Sequence, residues 1–563
     1  MADTPSGVNE ISDRFVSDYV ALHPVIATYV GVAGHDHRMS DYSPDGYEAF
    51  AELNRAALAA VEAAEPTGPA EQVAKAVFGE RIGLSLEIHD AGLAASALNV
   101  IDSPVQDVRG VFDLMATDTA DDWATIATRM AAVPDALRGV RASLDHSAAA
   151  GRCSALRQVE RVAEQCETWS GVRGDQSFFG RLAGGADGID GVTDALRRDL
   201  DDSAQAASKA YAELATYLRE GLAPKAPAKD AVGEEVYRLR SRDFLGARLD
   251  LQEAYEWGWE EFARIEAEMV RVAGRIRPGA SLAETATALD EDPRYQVSGR
   301  AEFTTWMQNL SDRALAELRG VHFEMSDRVM QLECRIAPPG GGVGAYYTAP
   351  SEDFGRPGRM WWSLPGDRQE FITWREVTTV YHEGAPGHHL QCAVALEAAH
   401  RLNDFQRMMC WVSGHGEGWA LYAERLMQEL GYLDDDGNLL GMLDGQLFRA
   451  ARVIIDLGMH LELVIPAGTG FHEGERWTPE LGLEFMLERT ITEVAHVRDE
   501  IDRYLGWPGQ APSYKLGERL WLAARDDAKA RSGDAFDLKT FHTAALELGS
   551  MGLDTLRHQL ATL

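Results

Sequence analysis

The sequence predicts a mainly α-helical protein with one small antiparallel β-sheet, and three observations predict it. Apolar residues recur at helical spacing over long stretches, as in LQEAYEWGWEEFARIEAEMVRVAGRI at 251–276. Alanine-rich runs such as 204–218 favour helix by propensity. One region changes period: VMQLECRI (329–336) alternates like a strand, and GAYYTA (344–349) and RMWWSL (359–364) are short and aromatic.

The elements follow in chain order. Residues 15–30 have helical spacing but contain Pro24, so this helix is expected to kink or split. The amphipathic segment 251–276 is stopped by Pro278 and Gly279. Segments 301–318 and 373–381 read as further helices. Pro/Gly/Asp-rich stretches punctuate the chain at 184–191, 223–230 and 337–344. The most apolar stretch, 453–467, carries Asp456, His460 and Glu462 and reads as a buried helix, not a membrane span. No internal repeat occurs. The expected organisation is one large domain over 1–563, with an N-terminal helical half (about 1–230) and a half that carries the chemistry (about 231–563).

Composition narrows the function. The 563 residues are 45% hydrophobic and 25% charged, which excludes disordered, collagenous and disulfide-scaffold classes. With 54 Lys+Arg against 89 Asp+Glu, the net charge of −35 excludes a phosphate-backbone binder and disfavours an anionic membrane surface. Nucleic acid and membrane are therefore not expected partners, and the charge reads as a solubility device. Cys153, Cys166, Cys334, Cys392 and Cys410 are scattered, with no Cys-x-x-Cys pair. That pattern argues against a disulfide framework and a thiolate zinc site, and it fits a reducing compartment. The start, MADTPSGVNEISDRF, lacks a basic stretch followed by an apolar one, so a cytoplasmic location is expected.

The chemistry concentrates at 376–391, EVTTVYHEGAPGHHLQ. Zincin metallopeptidases place His-Glu-x-x-His on a helix, with two imidazoles one turn apart on the metal and the Glu acting on water. Here the residue four after His382 is Pro386. On an unbroken helix His388 would lie about 240° around from His382, and His389 about 10 Å along the axis. Pro386 and Gly387 break that helix, and looping out two residues gives His388 the second ligand position. Spacing leaves His389 open as the alternative. Catalytic zinc takes three protein ligands and keeps one position open. SGHGEGWALYAE (413–424) supplies the third: Glu417, with His415 as runner-up, and Glu424 as a residue that orients a ligand imidazole.

IDRYLGWPGQAPSYKLG (501–517) gathers Arg503, Tyr504, Gln510, Tyr514 and Lys515 among Gly and Pro breakers. Tyr514 or Arg503 is expected to stabilise an oxyanion, and Arg503 has the alternative of gripping a peptide carboxylate. Tyr347, Tyr504 and Gln510 are assigned to substrate binding. Arg452, Asp456 and His460 share one helical face and are expected to buttress the site. The glycines at 340–342 lack a following Gly-Lys-Ser/Thr and do not form a phosphate loop.

Together YHEGAPGHHLQ, EGWALYAE, RYLGWPGQAPSYKLG, AYYTAPSEDFGRPGRMWW and ATYVGVAGHDHRMSDYSP span nearly the whole chain. On these motifs the sequence resembles the bacterial domain-of-unknown-function family 885. The resemblance implies a zincin-like helical fold with a deep groove, similar to the carboxypeptidase Taq family. It makes His382, Glu383, His388 and Glu417 the metal-site candidates. Pro512 and Ser513 depart from the small or apolar helix formers expected there, which puts the helix before Tyr514 in question. The expected function is peptide-bond hydrolysis by a metallopeptidase of the gluzincin kind, a carboxypeptidase or oligopeptidase. One Zn2+ per chain is the expected cofactor, a peptide the partner, and Glu383 the general acid-base. The alternatives are a peptide- or metal-binding protein without turnover, and a hydrolase of small-molecule amides. The sequence leaves the oligomeric state open.

Overall fold

Pro24 divides the first helical segment as its chemistry requires: Val8–Leu22 ends at His23, and a new helix, Pro24–Tyr29, starts with proline in its first turn. The computed structural model describes every residue except 1–6, 175, 338–343, 352, 365–367, 493 and 563. The glycines at 340–342 lie outside the described residues. The chain forms two compact units, one of residues 1–232 with 498–508, the other of 233–497 with 509–563.

Among the described residues, the regular elements of the first unit are all helices. Its centre is Asp194–Tyr217, packed by Ala120–Ala131, Leu156–Ser170 and Phe178–Gly184. Leu200, Ala204, Ala207, Tyr211 and Leu214 are buried along it at three- and four-residue spacing, the stripe of a core-facing helix. Arg129 is fully buried and donates to the carbonyls of Pro24, His35 and Arg38 and to Thr28 Oγ1. That fork staples the segment after the Pro24 break. Residues 498–508 join this unit through Gln158, whose amide donates to the Asp502 carbonyl at 2.8 Å. A side chain at Gly506 would collide with that amide, at 2.3 Å from Gln158 Oε1.

The second unit is built on two 26-residue helices, Leu251–Ile276 and Asp436–Leu461. Gly258 lets them approach, since a β-carbon there would lie 2.9 Å from Val453. Asp456 is buried on the second helix and accepts from Tyr237 Oη at 2.7 Å and Gly509 N–H at 2.9 Å. The helix expected over 453–467 thus keeps Asp456 in its interior by pairing it, and it ends at Leu461 with Glu462 in the left-handed region. Among the described residues no helix is long and apolar enough to cross a membrane.

Strands β1 (Gln296–Ser298), β2 (Leu332–Ile336), β3 (Gly344–Thr348), β4 (Gly358–Ser363) and β5 (Glu370–Ile372) form two small sheets. β1 and β5 pair antiparallel. The three strands expected from the aromatic region make one sheet in the order β2-β4-β3. β3 pairs antiparallel with β4, with Tyr347 opposite Met360, while β2 adds to the far side of β4 in parallel. β4 takes the centre because its alternate residues Met360 and Trp362 are buried. That leaves β3 at an edge, close to the helix Glu376–Glu383.

Candidate metal centre

The helix Glu376–Glu383 carries His382 and Glu383 in its last turn and stops at Gly384. After the Ala385–Pro386 turn, a second helix, His388–Glu397, begins at His388 itself. The turn is crowded. A β-carbon at Gly387 would lie 1.9 Å from the His382 carbonyl oxygen and 2.5 Å from that of Tyr381. Gly387 N–H donates to the Tyr381 carbonyl at 3.0 Å, and Trp419 Nε1–H donates to the Pro386 carbonyl at 2.9 Å. Only glycine fits this fold of the chain, which brings the His382 and His388 rings to 4.9 Å between centroids, nearly perpendicular.

Glu417 reaches the same point from the helix Ser413–Glu429. Its Oε2 lies 3.3 Å from His382 Nε2 and 3.4 Å from His388 Nε2. The ligand atoms of His382, His388 and Glu417 all fall within 4.8 Å of one another. Three donors at metal bonds of about 2.1 Å in a tetrahedron are separated by about 3.4 Å, so the two spacings from Glu417 suit a zinc ion. Two imidazoles and a carboxylate, with no thiolate, are also a zinc donor set. His382 is oriented for it: Nδ1 lies 2.8 Å from Glu424 Oε1, and Glu424 Oε2 accepts from Thr378 Oγ1 at 2.7 Å. A carboxylate holding Nδ1–H leaves Nε2 as the nitrogen that faces the centre. His388 Nδ1 is buried without a hydrogen-bond partner among the described residues.

The electrostatics fit a buried cation site. Burial works against charge on His382, but Glu417 and Glu424 prevail and raise it to about 10. Burial also opposes charge on Glu417, yet His388 and His382 hold it well below the usual carboxylate range. Burial pushes Glu383 up, against the pull of His382, His388 and Arg449. A carboxyl raised in this way is suited to exchanging protons.

The profile of a family described as "Bacterial protein of unknown function (DUF885)" matches residues 24–560. The chain belongs to this family. No curated protein matches it. Among solved structures, a protein of Colwellia psychrerythraea provisionally assigned as a lipoprotein is 23% identical. It superposes with a TM-score of 0.85 over 99% of this chain and 98% of its own. A protein of Shewanella oneidensis, provisionally assigned as a lipoprotein of unknown function, is 19% identical. Its TM-score is 0.75, over 98% of this chain and 99% of its own. These likenesses establish a shared fold.

In this DUF885 chain the two alternative ligands have other work. His389 is fully buried, with Nε2 2.7 Å from the Val329 carbonyl and Nδ1 3.0 Å from Tyr347 Oη. Both nitrogens are engaged, and Tyr347 spends its hydroxyl there. His415 packs on Trp521 with ring centroids 5.4 Å apart, and its Nδ1 takes the Gln391 amide at 3.1 Å. Burial lowers both histidines to about 4.

The motif at 501–517 is divided between the units. Arg503 and Tyr504 belong to the first, where both side chains reach Glu500, at 2.9 and 2.5 Å. Gln510, Tyr514 and Lys515 belong to the second. Pro512 ends the irregular stretch, and a regular helix, Ser513–Ser532, starts beside it. That helix crosses Ser413–Glu429 backbone to backbone: a β-carbon at Gly418 would lie 2.5 Å from Gly517 C, and one at Gly517 2.2 Å from Gly414 O. Tyr514 therefore starts a helix packed on the one that carries Glu417, with the Arg452 guanidinium 4.9 Å over its ring. Gln510 is buried, and its carbonyl accepts from Ser513 Oγ at 2.6 Å. Lys515 is buried among Gln446, Glu518 and Glu261.

Sequence reasoning passed over Thr378, Trp419 and Arg449. Thr378 stands one helical turn before His382, a spacing the sequence does display. Trp419 and Arg449 act across helix contacts that have no sequence signal.

Proposed function

We propose that this chain is a zinc-dependent hydrolase of peptide bonds with a gluzincin-like centre on a zincin-like scaffold. The observation that carries the reading is the convergence of His382 Nε2, His388 Nε2 and Glu417 Oε2, with Glu383 beside them. His382, His388 and Glu417 would hold one Zn2+. A bound zinc supplies Lewis acidity, which polarises the substrate carbonyl and makes water nucleophilic near neutral pH. Glu383 takes a proton from the attacking water and returns it to the departing amine, so its raised proton affinity is useful in both directions. Glu424 keeps His382 in one tautomer throughout. Tyr514 is the candidate donor to the oxyanion. Its helix, Ser513–Ser532, packs on the one that carries Glu417, and Arg503 is the other candidate.

A peptide as substrate is supported by β3, an edge strand near the His382 helix whose outer main chain can pair with an extended segment. A cytoplasmic location is supported by the scatter of five cysteines with no Cys-x-x-Cys pair. The lipoprotein assignments of the two structural neighbours favour a membrane-anchored location instead, and cell fractionation distinguishes the two.

The test is metal analysis of the purified protein joined to peptide-library cleavage with and without a chelator. Glu383→Gln is expected to retain stoichiometric zinc and to abolish turnover, because it removes the proton carrier and no ligand. A zinc-loaded wild type that cleaves no peptide refutes the proposal.

A further inference from the structure

Between Phe405–Met409 and Ser413–Glu429 the chain runs without helix through residues 410–412. Cys410 and Val412 are buried, and Trp411 between them is 55% exposed. Backbone hydrogen bonds fix both ends of this short link. Cys410 N–H donates to the Phe405 carbonyl at 2.9 Å, and His415 and Gly416 N–H both donate to the Val412 carbonyl at 3.0 Å.

The indole itself is seated. Its six-membered ring rests on Gly416, where a β-carbon would lie 2.3 Å from Cη2 and 2.6 Å from Cζ2. Gly416 is the residue before Glu417, and the indole centroid is 6.1 Å from the His388 imidazole. A large apolar face is thus held toward solvent against one metal-ligand candidate and beside another. Tryptophan is highly buried on average, and leaving such a face in water forgoes much of what its burial would contribute. Glycine at 416 is what keeps it there.

We propose that Trp411 is an apolar platform of the metal centre that stacks on an aromatic or large aliphatic side chain of the substrate, next to the bond to be cleaved. The inference rests on the peptidase reading and adds a substrate preference to it. A flat indole beside the ligands rewards a flat or bulky partner through buried area and ring stacking. A substrate with small side chains at that position gains neither. Ring stacking alone is worth about threefold to tenfold in affinity.

The test uses calorimetric titration of zinc-loaded Glu383→Gln protein with two peptides, Ala-Ala-Phe-Ala-Ala and Ala-Ala-Ala-Ala-Ala. Adding Trp411→Ala is expected to weaken the phenylalanine peptide about tenfold and to leave the all-alanine peptide within about twofold. Trp411→Phe restores most of the difference. In the active protein the same substitution raises KM for the phenylalanine peptide and leaves the zinc content at one per chain. Equal losses for both peptides, or no loss for either, overturn the platform while the peptidase reading stands. If the protein with Trp411 intact binds neither peptide, the peptidase reading falls and the platform falls with it.

Discussion

Gly387→Ala tests the geometry on which the proposed metal centre depends. The added carbon would meet the His382 carbonyl oxygen at 1.9 Å, the Tyr381 carbonyl oxygen at 2.5 Å and the His382 carbonyl carbon at 2.6 Å. All three are backbone atoms, so no side chain can swing aside. Restoring a contact of about 3 Å requires the two helix ends to part by about 1 Å. That movement strains the bond from Gly387 N–H to the Tyr381 carbonyl. Overpacking of this kind costs about 1–3 kcal/mol, and a lost hydrogen bond adds about 1 kcal/mol. A destabilisation of about 3 kcal/mol is expected for the zinc-free protein. Zinc should suffer more than folding, because ligand sets tolerate displacements of only about 0.5 Å and His388 follows Gly387 directly. The affinity is expected to fall more than 100-fold. Chelator competition measures the affinity, and guanidinium denaturation followed by circular dichroism measures the stability. Gly68→Ala is the control, since no atom lies within 4 Å of its added carbon. A folded Gly387→Ala protein that binds zinc as tightly as wild type refutes the reasoning.

Three further outcomes follow from the same contacts. Glu424→Gln should weaken zinc about tenfold, because the amide carries no charge to reinforce His382; an unchanged affinity in chelator competition would remove Glu424 from the centre. His388→Ala should lose stoichiometric zinc by mass spectrometry, whereas His389→Ala should keep it and lose thermal stability. Its nitrogens tie the Val329 carbonyl and Tyr347, and the reverse pattern would shift the second ligand by one residue. His542 is lowered to about 3 by burial, with Nε2 2.7 Å from Tyr422 Oη and its ring stacked 4.9 Å from Phe323. Its folded pKa lies below the unfolded value, so the stability it contributes is present above pH 6.5 and is lost as pH falls from 6.5 toward 3. His542→Phe should flatten that part of the Tm–pH curve, and an unaltered slope would show that His542 does not titrate with unfolding.

Two features of the sequence were enough to announce the main features. Period and propensity gave helices nearly everywhere and isolated the aromatic region around β2, β3 and β4. The Pro24 and Pro386 breaks were legible because proline acts locally, through a missing N–H and a fixed ring. The same locality made His388 the preferred partner of His382, since helix geometry and a break of two residues are enough to bring the two rings to one face.

Contacts between distant segments were not legible, because nothing in a local pattern encodes which faces meet. The parallel addition of β2 to β4 depends on which strand the fold places at the centre of the sheet. Tyr347 reads equally well as a substrate contact and as the hydroxyl that holds His389, until the fold puts the two 3.0 Å apart. Arg503 and Tyr504 stand eleven and ten residues before Tyr514 in one motif, yet the chain assigns them to another unit and to Glu500. The glycines at 414, 416 and 418 announce close approach without saying to what. Only the tertiary structure supplies the partners: Leu245 and Leu553 for Gly414, Gly517 for Gly418, and the Trp411 indole for Gly416. The sequence by itself determined the helical class and the His382, His388 and Glu417 candidates, because those follow from short-range geometry and residue chemistry. The tertiary structure decided their convergence and the contacts of Glu424, Tyr347 and Trp411, because each depends on packing between separate elements.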